Sequence, residues 1–451
     1  MKNRKILFIY LLFISGIIKG QINVQIAGHV DTVYALHPND TDSLNELLPL
    51  ENLFKDKKII GMGEATHGTK EFFNMKAKMF KFLATHCGYK VFSIEATYGG
   101  TLKVNDYVLY GKGSVLSAMK GMEFWTWYTD EVKDLIQWMR NYNKDKPDNE
   151  KLMFLGFDCQ SFKGPNNALI NYVNEYDSIN IKEFKKGLSI LNDSSDNYFF
   201  KLFTNDKKTQ EVVFPKVDNI LLFLNKWFIE NENYYISKSG KQKFDIAYHN
   251  IENIKQTLLL VESLQIKTEY IRDSCMAQNI KWLSDHINTK VFAWAHNGHI
   301  EKRRSTFFKK WNSLKNMGVY LDDLFGKDYY NIGFVFNEGK FQAIQHEPNI
   351  LKQIKGHQYK GLYECYLPPS PKGSIANIFS KTGIPSFFVD MLHSSNGFYD
   401  ESTGYYNIGA VFWKPSRNAY FDLTPKKSFD GLIFVNHTQR AVPSLHEFTG
   451  K

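Results

Sequence analysis

The stretch KIIGMGEATHG, residues 58–68, decides the fold class, because a short apolar strand here runs directly into a glycine-containing loop. A helix is predicted from about Thr69, where apolar residues recur at the spacing of one helical face: Phe72, Met79, Phe80 and Leu83. Gly88 ends this helix, and a second apolar strand, Lys90 to Ile94, closes in Glu95. A strand–loop–helix–strand unit of this kind is typical of a parallel sheet with crossover helices.

The rest of the chain repeats this pattern. Further strands are predicted at Lys151–Phe157, Lys290–Trp294, Tyr330–Phe336, Ser386–Asp390 and Gly431–Val435. Between the first two of these, residues 163–288 have a helical period and no convincing strand. We therefore predict an α/β fold, with a three-layer α/β/α core, a mostly parallel sheet and a large helical insertion, or cap, at about 163–288.

The first twenty residues have the order of a secretory signal peptide. A basic head precedes an almost uninterrupted apolar run from Ile6 to Ile18, and Gly20 stands before the expected cleavage site. The apolar run is shorter than a membrane span requires, although an uncleaved anchor is the alternative. We expect residues 1–20 to be removed, and residues 21–451 to form an exported catalytic domain that is periplasmic or extracellular.

Charge and cysteine content exclude several functions. Removing residues 1–20 takes away four basic groups and lowers the net charge from +9 to +5, which is too small for a nucleic-acid-binding surface. The four cysteines are widely spaced and contain no C-x-x-C motif: Cys87, Cys159, Cys275 and Cys365. They therefore indicate neither a metal site nor a redox pair, and we expect free cysteines in the core.

Polar groups suited to catalysis follow four of the predicted strands. Ligands in open parallel sheets bind beyond the carboxyl ends of the strands, so these side chains are expected to converge on one crevice. They are Glu64 and His67 after the first strand, Glu95 after the second, Asp158 after the third, and His296 with His299 after the fourth.

Each candidate also has a plainer interpretation. His67 precedes a helix N-terminus, where the helix dipole favours a neutral imidazole that can accept a proton, but a loop histidine is often only structural. Glu95 at the end of an apolar strand needs a partner, and Lys76 on the preceding helix is the predicted one, in a pair that is either structural or functional. His296 and His299 have the i, i+3 spacing of metal ligands, without a His-Glu-x-x-His motif, so a zinc site is weakly specified.

Several familiar motifs are absent from the sequence. The glycines after the first strand do not complete a dinucleotide-binding or P-loop pattern, and are expected to permit a tight strand-to-helix turn. No Gly-x-Ser-x-Gly nucleophile elbow occurs, and no cysteine has an activating motif. The remaining chemistry is attack by water assisted by histidine and glutamate, with or without a metal.

The sequence resembles the erythromycin esterase family in five ordered blocks and one further segment. The first block is GEATHGT, residues 63–69, followed by EFF, residues 71–73. The others are Ser93–Ala96, Phe124–Trp127 running into Trp138–Arg140, Gly156–Gln160, Trp294–His299, and the segment Arg272–Asn279. The resemblance covers about residues 58–300, with a looser fit at Asp430–Val435.

This resemblance implies hydrolysis of a macrolide lactone ester without a serine nucleophile. His67 would be the general base that takes a proton from water, and Glu64 and Glu95 would orient or polarise that histidine and the water. His296 would assist as an acid or as a donor to the developing oxyanion. Four further positions are expected to contact the substrate: Lys76, His299, Asp158 and Trp127. Some family members have arginine at the position of Lys76, and lysine offers a point charge in place of a bidentate fork.

We therefore expect a hydrolase of carboxylic esters or lactones, with a macrolide such as erythromycin as one candidate substrate and no cofactor. The first alternative is a metal-dependent hydrolase that uses the same Glu and His groups with a divalent metal. The second is a non-catalytic periplasmic protein that binds a ligand in the same crevice. The expected partner is a small molecule and not nucleic acid, no membrane span remains after signal cleavage, and the sequence does not fix the oligomeric state.

Overall fold

A computed structural model describes most of the chain beyond the predicted signal peptide. The described residues are 21–188, 191, 207–263, 268–303, 315–345, 362–412 and 419–444. Residues 1–20, on which the prediction of export depends, lie outside these ranges. Within the described ranges, no helix combines the length and the apolar character that crossing a membrane requires.

The strands and helices alternate along much of the chain. The strands are β1 Gln21–Ile26, β2 His29–Ala35, β3 Ile59–Met62, β4 Tyr89–Thr97, β5 Met153–Asp158, β6 Lys290–Trp294, β7 Tyr329–Gln345, β8 Leu362–Leu367, β9 Ser386–Asp390, β10 Thr403–Tyr406, β11 Val411–Phe412, β12 Tyr420–Leu423 and β13 Gly431–Thr438. The α-helices are α1 Glu51–Phe54, α2 Lys70–His86, α3 Leu102–Tyr110, α4 Val115–Met119, α5 Asp130–Asn143, α6 Lys163–Tyr176, α7 Ile181–Gly187, α8 Lys207–Glu230, α9 Glu232–Ser239, α10 Lys241–Glu262, α11 Thr268–Ile287, α12 Asn297–Ile300, α13 Met317–Phe325, α14 Ile375–Ser380 and α15 Pro425–Ser428.

One large mixed sheet forms the centre of the molecule, in the order β1-β2-β9-β13-β7-β3-β6-β4-β5. The six strands from β13 to β5 are parallel to their neighbours, whereas β1, β2 and β9 extend the sheet in antiparallel pairs. The parallel half therefore presents the carboxyl ends of β3, β4, β5 and β6 along one edge.

Both faces of the sheet are buried, as expected for strands whose sequences are almost continuously apolar. Ile60 and Phe92 point into one hydrophobic cluster, and their neighbours Ile59 and Val91 point into another on the opposite face. Helix α2 contributes to the first cluster and α11 to the second. The predicted α/β class with a mostly parallel sheet between helices is confirmed.

The described part of the predicted insertion is helical, from α6 to α11. Helices α6 to α10 surround a hydrophobic cluster of their own, which includes Leu169, Leu224 and Ile254. Helix α11 instead packs Met276 and Ile280 into the cluster beneath the sheet. It is therefore the helix that leads into β6, and the helices that share the separate cluster end before it.

All four cysteines are buried, and none forms a disulfide in the structure. The sequence prediction of core cysteines agrees with this placement. The antiparallel hairpin β1–β2 was not predicted, although Ile22, Val24 and Ile26 alternate with polar residues as in a half-exposed strand.

Candidate active site

The catalytic candidates meet at the carboxyl edge of the parallel strands. Glu64 follows β3, Glu95 lies near the end of β4, Asp158 is the last residue of β5, and His296 follows β6. Since β3 pairs with β6, β6 with β4, and β4 with β5, their strand ends are adjacent. The convergence predicted from the sequence is therefore present in the structure.

Glu64 and His67 form a carboxylate–imidazole pair. Glu64 is fully buried, and its Oε1 lies 2.7 Å from Nδ1 of His67. Because a buried carboxylate accepts hydrogen bonds, it fixes His67 with the proton on Nδ1. Nε2 then carries the lone pair, and no described residue bonds to it. The His67 side chain is 13% exposed, so the described residues do not enclose it completely.

Lys76 is the partner of Glu64, and the predicted pairing of Lys76 with Glu95 is wrong. Lys76 on α2 is fully buried, and its Nζ donates to Oε2 of Glu64 at 2.8 Å. The same ammonium lies 4.4 Å from the ring centre of Trp294, whose indole N–H donates to Glu64 at 2.7 Å. Helix α2 follows the β3 loop directly, so its inward face covers Glu64.

Burial lowers the pKa of Lys76 from its usual 10.5 to about 8, while the Glu64 carboxylate opposes this shift. Lys76 was also expected to contact the substrate, but it has no exposed surface. Its position instead makes it a positioning residue: it holds one oxygen of Glu64 while the other orients His67.

The loop that carries His67 is packed too tightly for larger residues. A Cβ atom added to Gly63 would lie 2.2 Å from Oδ1 of Asn297, and one added to Gly68 would lie 2.3 Å from the carbonyl oxygen of Gln342. Neither glycine has a positive φ. Glycine is therefore required at both positions because neighbouring atoms lie so close, and not because of the backbone conformation. The carbonyl of Gly68 accepts from the backbone N–H groups of Gln342 and Ala441, both at 2.9 Å.

Glu95 is held by Arg272 of α11. The guanidinium Nη2 donates to Oε1 of Glu95 at 2.7 Å and to Oδ2 of Asp158 at 2.8 Å, while Nε donates to Oδ1 of Asp158 at 3.0 Å. Oε2 of Glu95 accepts the backbone N–H of His296 at 2.9 Å. Burial alone would raise the pKa of Glu95, but the cationic groups of His299 and Arg272 outweigh it and hold the pKa well below its ordinary value.

Asp158 was expected to contact the substrate, but its carboxylate is enclosed. It has no exposed surface, and both of its oxygens accept hydrogen bonds from Arg272. It therefore positions Arg272, which in turn positions Glu95.

His299 lies between two carboxylates. Its Nδ1 is 2.6 Å from Oδ1 of Asp273, and its Nε2 is 3.2 Å from Oε1 of Glu95. Burial opposes protonation, and Nη1 of Arg272 lies 3.1 Å from Nε2, but the two carboxylates dominate and hold the pKa of His299 well above its ordinary value. The His299 side chain is 17% exposed, and its Nε2 lies within reach of both the Glu95 carboxylate and the Arg272 guanidinium.

The pKa of His296 is shifted in the opposite direction. Its Nδ1 accepts the N–H of Gly298 at 3.3 Å, so the proton lies on Nε2, which donates to the carbonyl of Ile408 at 3.1 Å. Burial, together with the neighbouring rings of His67 and His299, holds the pKa of His296 well below its ordinary value. The rings of His67 and His296 lie 4.9 Å apart, which places a neutral N–H donor beside the candidate base.

Trp127 lies behind His67 in the wall of the site. Its ring meets the His67 ring edge-on at a centroid distance of 6.4 Å and the Trp294 ring at 5.6 Å. Only 1% of the residue is exposed. Trp127 was expected to contact the substrate, and in the structure it packs against the His67 ring.

The carboxylates of the site form ion pairs with cationic side chains. In the described ranges, no group of three or more His, Cys, Asp or Glu residues is arranged to hold a metal ion. Glu64 is paired with Lys76 and Glu95 with Arg272. A metal bound to these carboxylates would have to displace a buried cation, so the residues do not fit the metal alternative.

Comparison with known proteins places the chain in a family. The family model described as erythromycin esterase matches residues 84–438. The chain belongs to the erythromycin esterase family. A Bacillus subtilis (strain 168) protein named as a hydrolase, YbfO, is 27% identical over 435 residues, which cover 90% of each chain. An Escherichia coli protein named erythromycin esterase type II is 22% identical over 373 residues, which cover 78% of this chain and 84% of that protein.

Solved structures share the fold of this family member. A Bacillus cereus protein superposes with a TM-score of 0.73 at 25% identity, covering 91% of this chain and 96% of that one. A mutant of erythromycin esterase EreC in its open conformation superposes with a TM-score of 0.62 at 18% identity, covering 89% and 96% of the two chains. Family membership indicates a hydrolase of esterase type that acts on a small molecule.

Two charged residues of the site were missed as candidates in the sequence of this esterase-family chain. Arg272 and Asp273 belong to a segment with family resemblance, but they lie on a helix that the sequence assigned to the insertion. Glu95 and Asp158 lie at the ends of buried strands, where two carboxylates need a cationic partner. This need was the sequence signal that could have identified Arg272.

Proposed function

We propose that this protein hydrolyses a carboxylic ester or lactone with a water molecule activated by His67. The observation that carries the proposal is the His67 ring itself: Nδ1 is fixed by the buried Glu64 carboxylate, and Nε2 is left for a proton. A histidine in this arrangement is a general base of the kind that activates nucleophiles at neutral pH.

In the proposed first step, Nε2 of His67 takes a proton from water while the water oxygen forms a bond to the carbonyl carbon. The carbonyl π electrons move to oxygen and give a tetrahedral oxyanion. Glu64 stabilises the imidazolium that forms, since its carboxylate accepts the N–H of Nδ1. Lys76 and Trp294 hold the other carboxylate oxygen, so the pair keeps its orientation during the step.

In the second step, the oxyanion re-forms the carbonyl and the bond to the alkoxide oxygen breaks. The His67 imidazolium gives its proton to that oxygen, which leaves as an alcohol, and the acid is the other product. A lactone would yield both groups on one opened molecule, with the mass of one water added.

We assign His296 and His299 to the stabilisation of the oxyanion. His296 is neutral and carries a proton on Nε2, the form that can donate a hydrogen bond without donating its charge. That N–H now donates to the carbonyl of Ile408, which the substrate oxygen would have to replace. His299 follows three residues later, and although burial opposes its protonation, the carboxylates of Asp273 and Glu95 raise its pKa and would favour positive charge near the oxyanion.

The macrolide lactone is the first substrate class to test, because the family resemblance and the Escherichia coli protein's name both point to it. Residues 21–451 would be incubated with erythromycin and with a panel of simple lactones and carboxylic esters, and the products would be weighed by mass spectrometry. The expected result is addition of one water to at least one compound, absent in the His67→Ala variant and unaffected by a chelator.

Two results would count against parts of this proposal. If only simple esters react, the macrolide assignment is wrong and the hydrolase assignment stands. If His67→Ala retains full activity, or a chelator abolishes activity and a divalent metal restores it, the proposed water activation by His67 alone is wrong.

A further inference from the structure

A second cavity lies away from the catalytic candidates, beside the edge strand β5. It has a volume of about 390 Å³ and is bounded by α3, α6 and the first turns of α10. None of the residues lining it is one of the catalytic candidates or their partners. Its volume is within the range of small-molecule sites.

Part of the wall of this cavity is apolar. Leu102 and Leu109 of α3 face Ala168 and Tyr172 of α6, and Ile246 of α10 closes one side. These side chains offer an extended apolar surface between helices, where an aliphatic or aromatic body would be removed from water.

Three lysines lie on adjacent segments at one end of the cavity, whose lining also contains Asp106, Glu123 and Glu175. Lys103, Lys120 and Lys163 all line it, and Lys103 and Lys163 form no ion pair with a residue in the described ranges. Lys112, by contrast, is paired with Glu175 at 2.9 Å. Positive charge that is not neutralised from within the protein favours an anionic group at this end.

Close glycine packing brings these lysines together. A Cβ atom on Gly100 would lie 2.4 Å from the carbonyl oxygen of Gly121, and one on Gly164 would lie 2.7 Å from the backbone nitrogen of Gly100. The side chain of Lys103 already lies over Gly121, with its Cδ 3.9 Å from the Cβ position of that glycine. The backbone segments at Gly100, Gly121 and Gly164 are thus in contact, and each has a lysine within three residues along the chain.

The N-terminus of α6 adds to the positive potential. This helix of 14 residues begins at Lys163, whose backbone N–H donates to the Ser161 hydroxyl at 3.1 Å, and its N-cap residue, Phe162, provides no capping side chain. Gly164 in the first turn lines the cavity. The partial positive charge of a helix N-terminus therefore lies on the same side as Lys103 and Lys163.

We propose that this cavity is a binding site for a small amphipathic anion, which we call the α3–α6 site. The apolar body of the ligand would lie between Leu102, Leu109 and Ala168. Its carboxylate, sulfate or phosphate group would lie between Lys103 and Lys163. This site is separate from the hydrolytic centre, and the inference does not depend on the proposed function.

Calorimetric titration of residues 21–451 with octanoate tests the proposal. We expect saturable binding of one octanoate per chain, weaker as the salt concentration rises, with much weaker binding of 1-octanol and of inorganic phosphate. Lys163→Glu and Lys103→Glu should each weaken octanoate binding roughly tenfold, because the charge facing the carboxylate is reversed. Lys216→Glu, an exposed lysine on α8, is the matched control and should bind octanoate normally.

Ala168→Trp locates the ligand. This substitution fills the space between the helices, and it should abolish octanoate binding while thermal unfolding shows that the chain remains folded. Unchanged affinity in Ala168→Trp would place octanoate elsewhere and overturn the proposal. Absence of saturable binding, or equal affinity for 1-octanol and octanoate, would overturn it as well. Retained binding in His67→Ala is expected, because His67 does not line the cavity.

Discussion

Replacing Glu64 with glutamine removes the negative charge of the carboxylate and keeps the size of the side chain. In the native site, the two oxygens of Glu64 serve three donors: His67 on Oε1, and Lys76 and Trp294 on Oε2. Glutamine has one acceptor oxygen and a donating amide group. If the oxygen stays with Lys76, the amide N–H₂ faces Nδ1 of His67, which moves the imidazole proton to Nε2 and removes the lone pair that would activate water.

The expected losses are large for both activity and stability. Loss of the correct tautomer, together with loss of general-base assistance, should lower kcat by roughly 10²–10⁴-fold. The substitution also leaves Lys76 buried without its counter-charge, and breaking a buried ion pair from one side costs about 3–5 kcal/mol. Because the Glu64 charge raises the pKa of Lys76, its removal should lower that pKa below about 8, so that Lys76 becomes neutral near physiological pH.

A double-mutant cycle measures the two effects independently. Urea unfolding and turnover of the best substrate would be measured for Glu64→Gln, Lys76→Met and the double variant. The double variant should be more stable than either single variant, since a buried pair replaced on both sides leaves no uncompensated charge. It should remain inactive, since no carboxylate orients His67. Additive losses of stability would refute the buried pair, and an active Glu64→Gln enzyme would refute the role of Glu64.

Three further outcomes follow from the same contacts. Lys76 loses its proton as the pH rises through about 8, so kcat/KM should fall above that pH in the native enzyme, and Lys76→Arg, which stays charged, should retain activity there in a pH–rate profile. Arg272→Lys should lower kcat about tenfold or more with a smaller change in KM, because lysine cannot bridge Glu95 and Asp158 as the guanidinium does, and steady-state kinetics measures this. Arg440→Ala removes hydrogen bonds of 2.7 and 2.9 Å to the Gln342 side chain beside the His67 loop, and should lower the thermal midpoint by a few degrees in calorimetry, as expected for a loss of about 1 kcal/mol.

The fold was largely predictable because its parallel strands are short, apolar and buried on both faces. The strand predicted at Lys290–Trp294 has the observed bounds, as does the one at Ser386–Asp390. The hairpin of β1 and β2 was missed because the strand predictions rested on continuous apolar runs, whereas β1 alternates apolar and polar residues. Its place in the sheet depends on pairing with β9, more than 350 residues later, which local sequence patterns do not contain.

The site residues that could be predicted from the sequence are those placed at the end of a strand. Glu64, Glu95, Asp158 and His296 were recognised because each follows a buried strand, and parallel strands end at one edge. The pairing of charges was not predictable in the same way. Lys76 could reach either Glu64 or Glu95 from the face of α2, and only the packing of Trp294 and Arg272 decides between them.

Residues that were given the same predicted role from the sequence differ in their burial. Lys76, Asp158 and Trp127 were grouped as substrate contacts with His299, but only His299 has an appreciably exposed side chain. Exposure at a crevice depends on how helices and loops from distant parts of the chain cover the sheet edge. A single sequence shows that a polar residue is near the edge, but not whether another side chain occupies the space before it.

The role of His67 as general base is tested most directly by comparing it with a second histidine that has the same local pairing. His67 and His393 each have Nδ1 bonded to a carboxylate three residues earlier, at 2.7 Å to Glu64 and 2.6 Å to Asp390, but His393 is exposed and lies outside the candidate active site. The measurement is kcat for a confirmed ester or lactone substrate in His67→Gln and His393→Gln. We predict a loss of roughly 10²–10⁴-fold in the first and no change in the second. Equal rates in the two variants would contradict the assignment of His67 as the base.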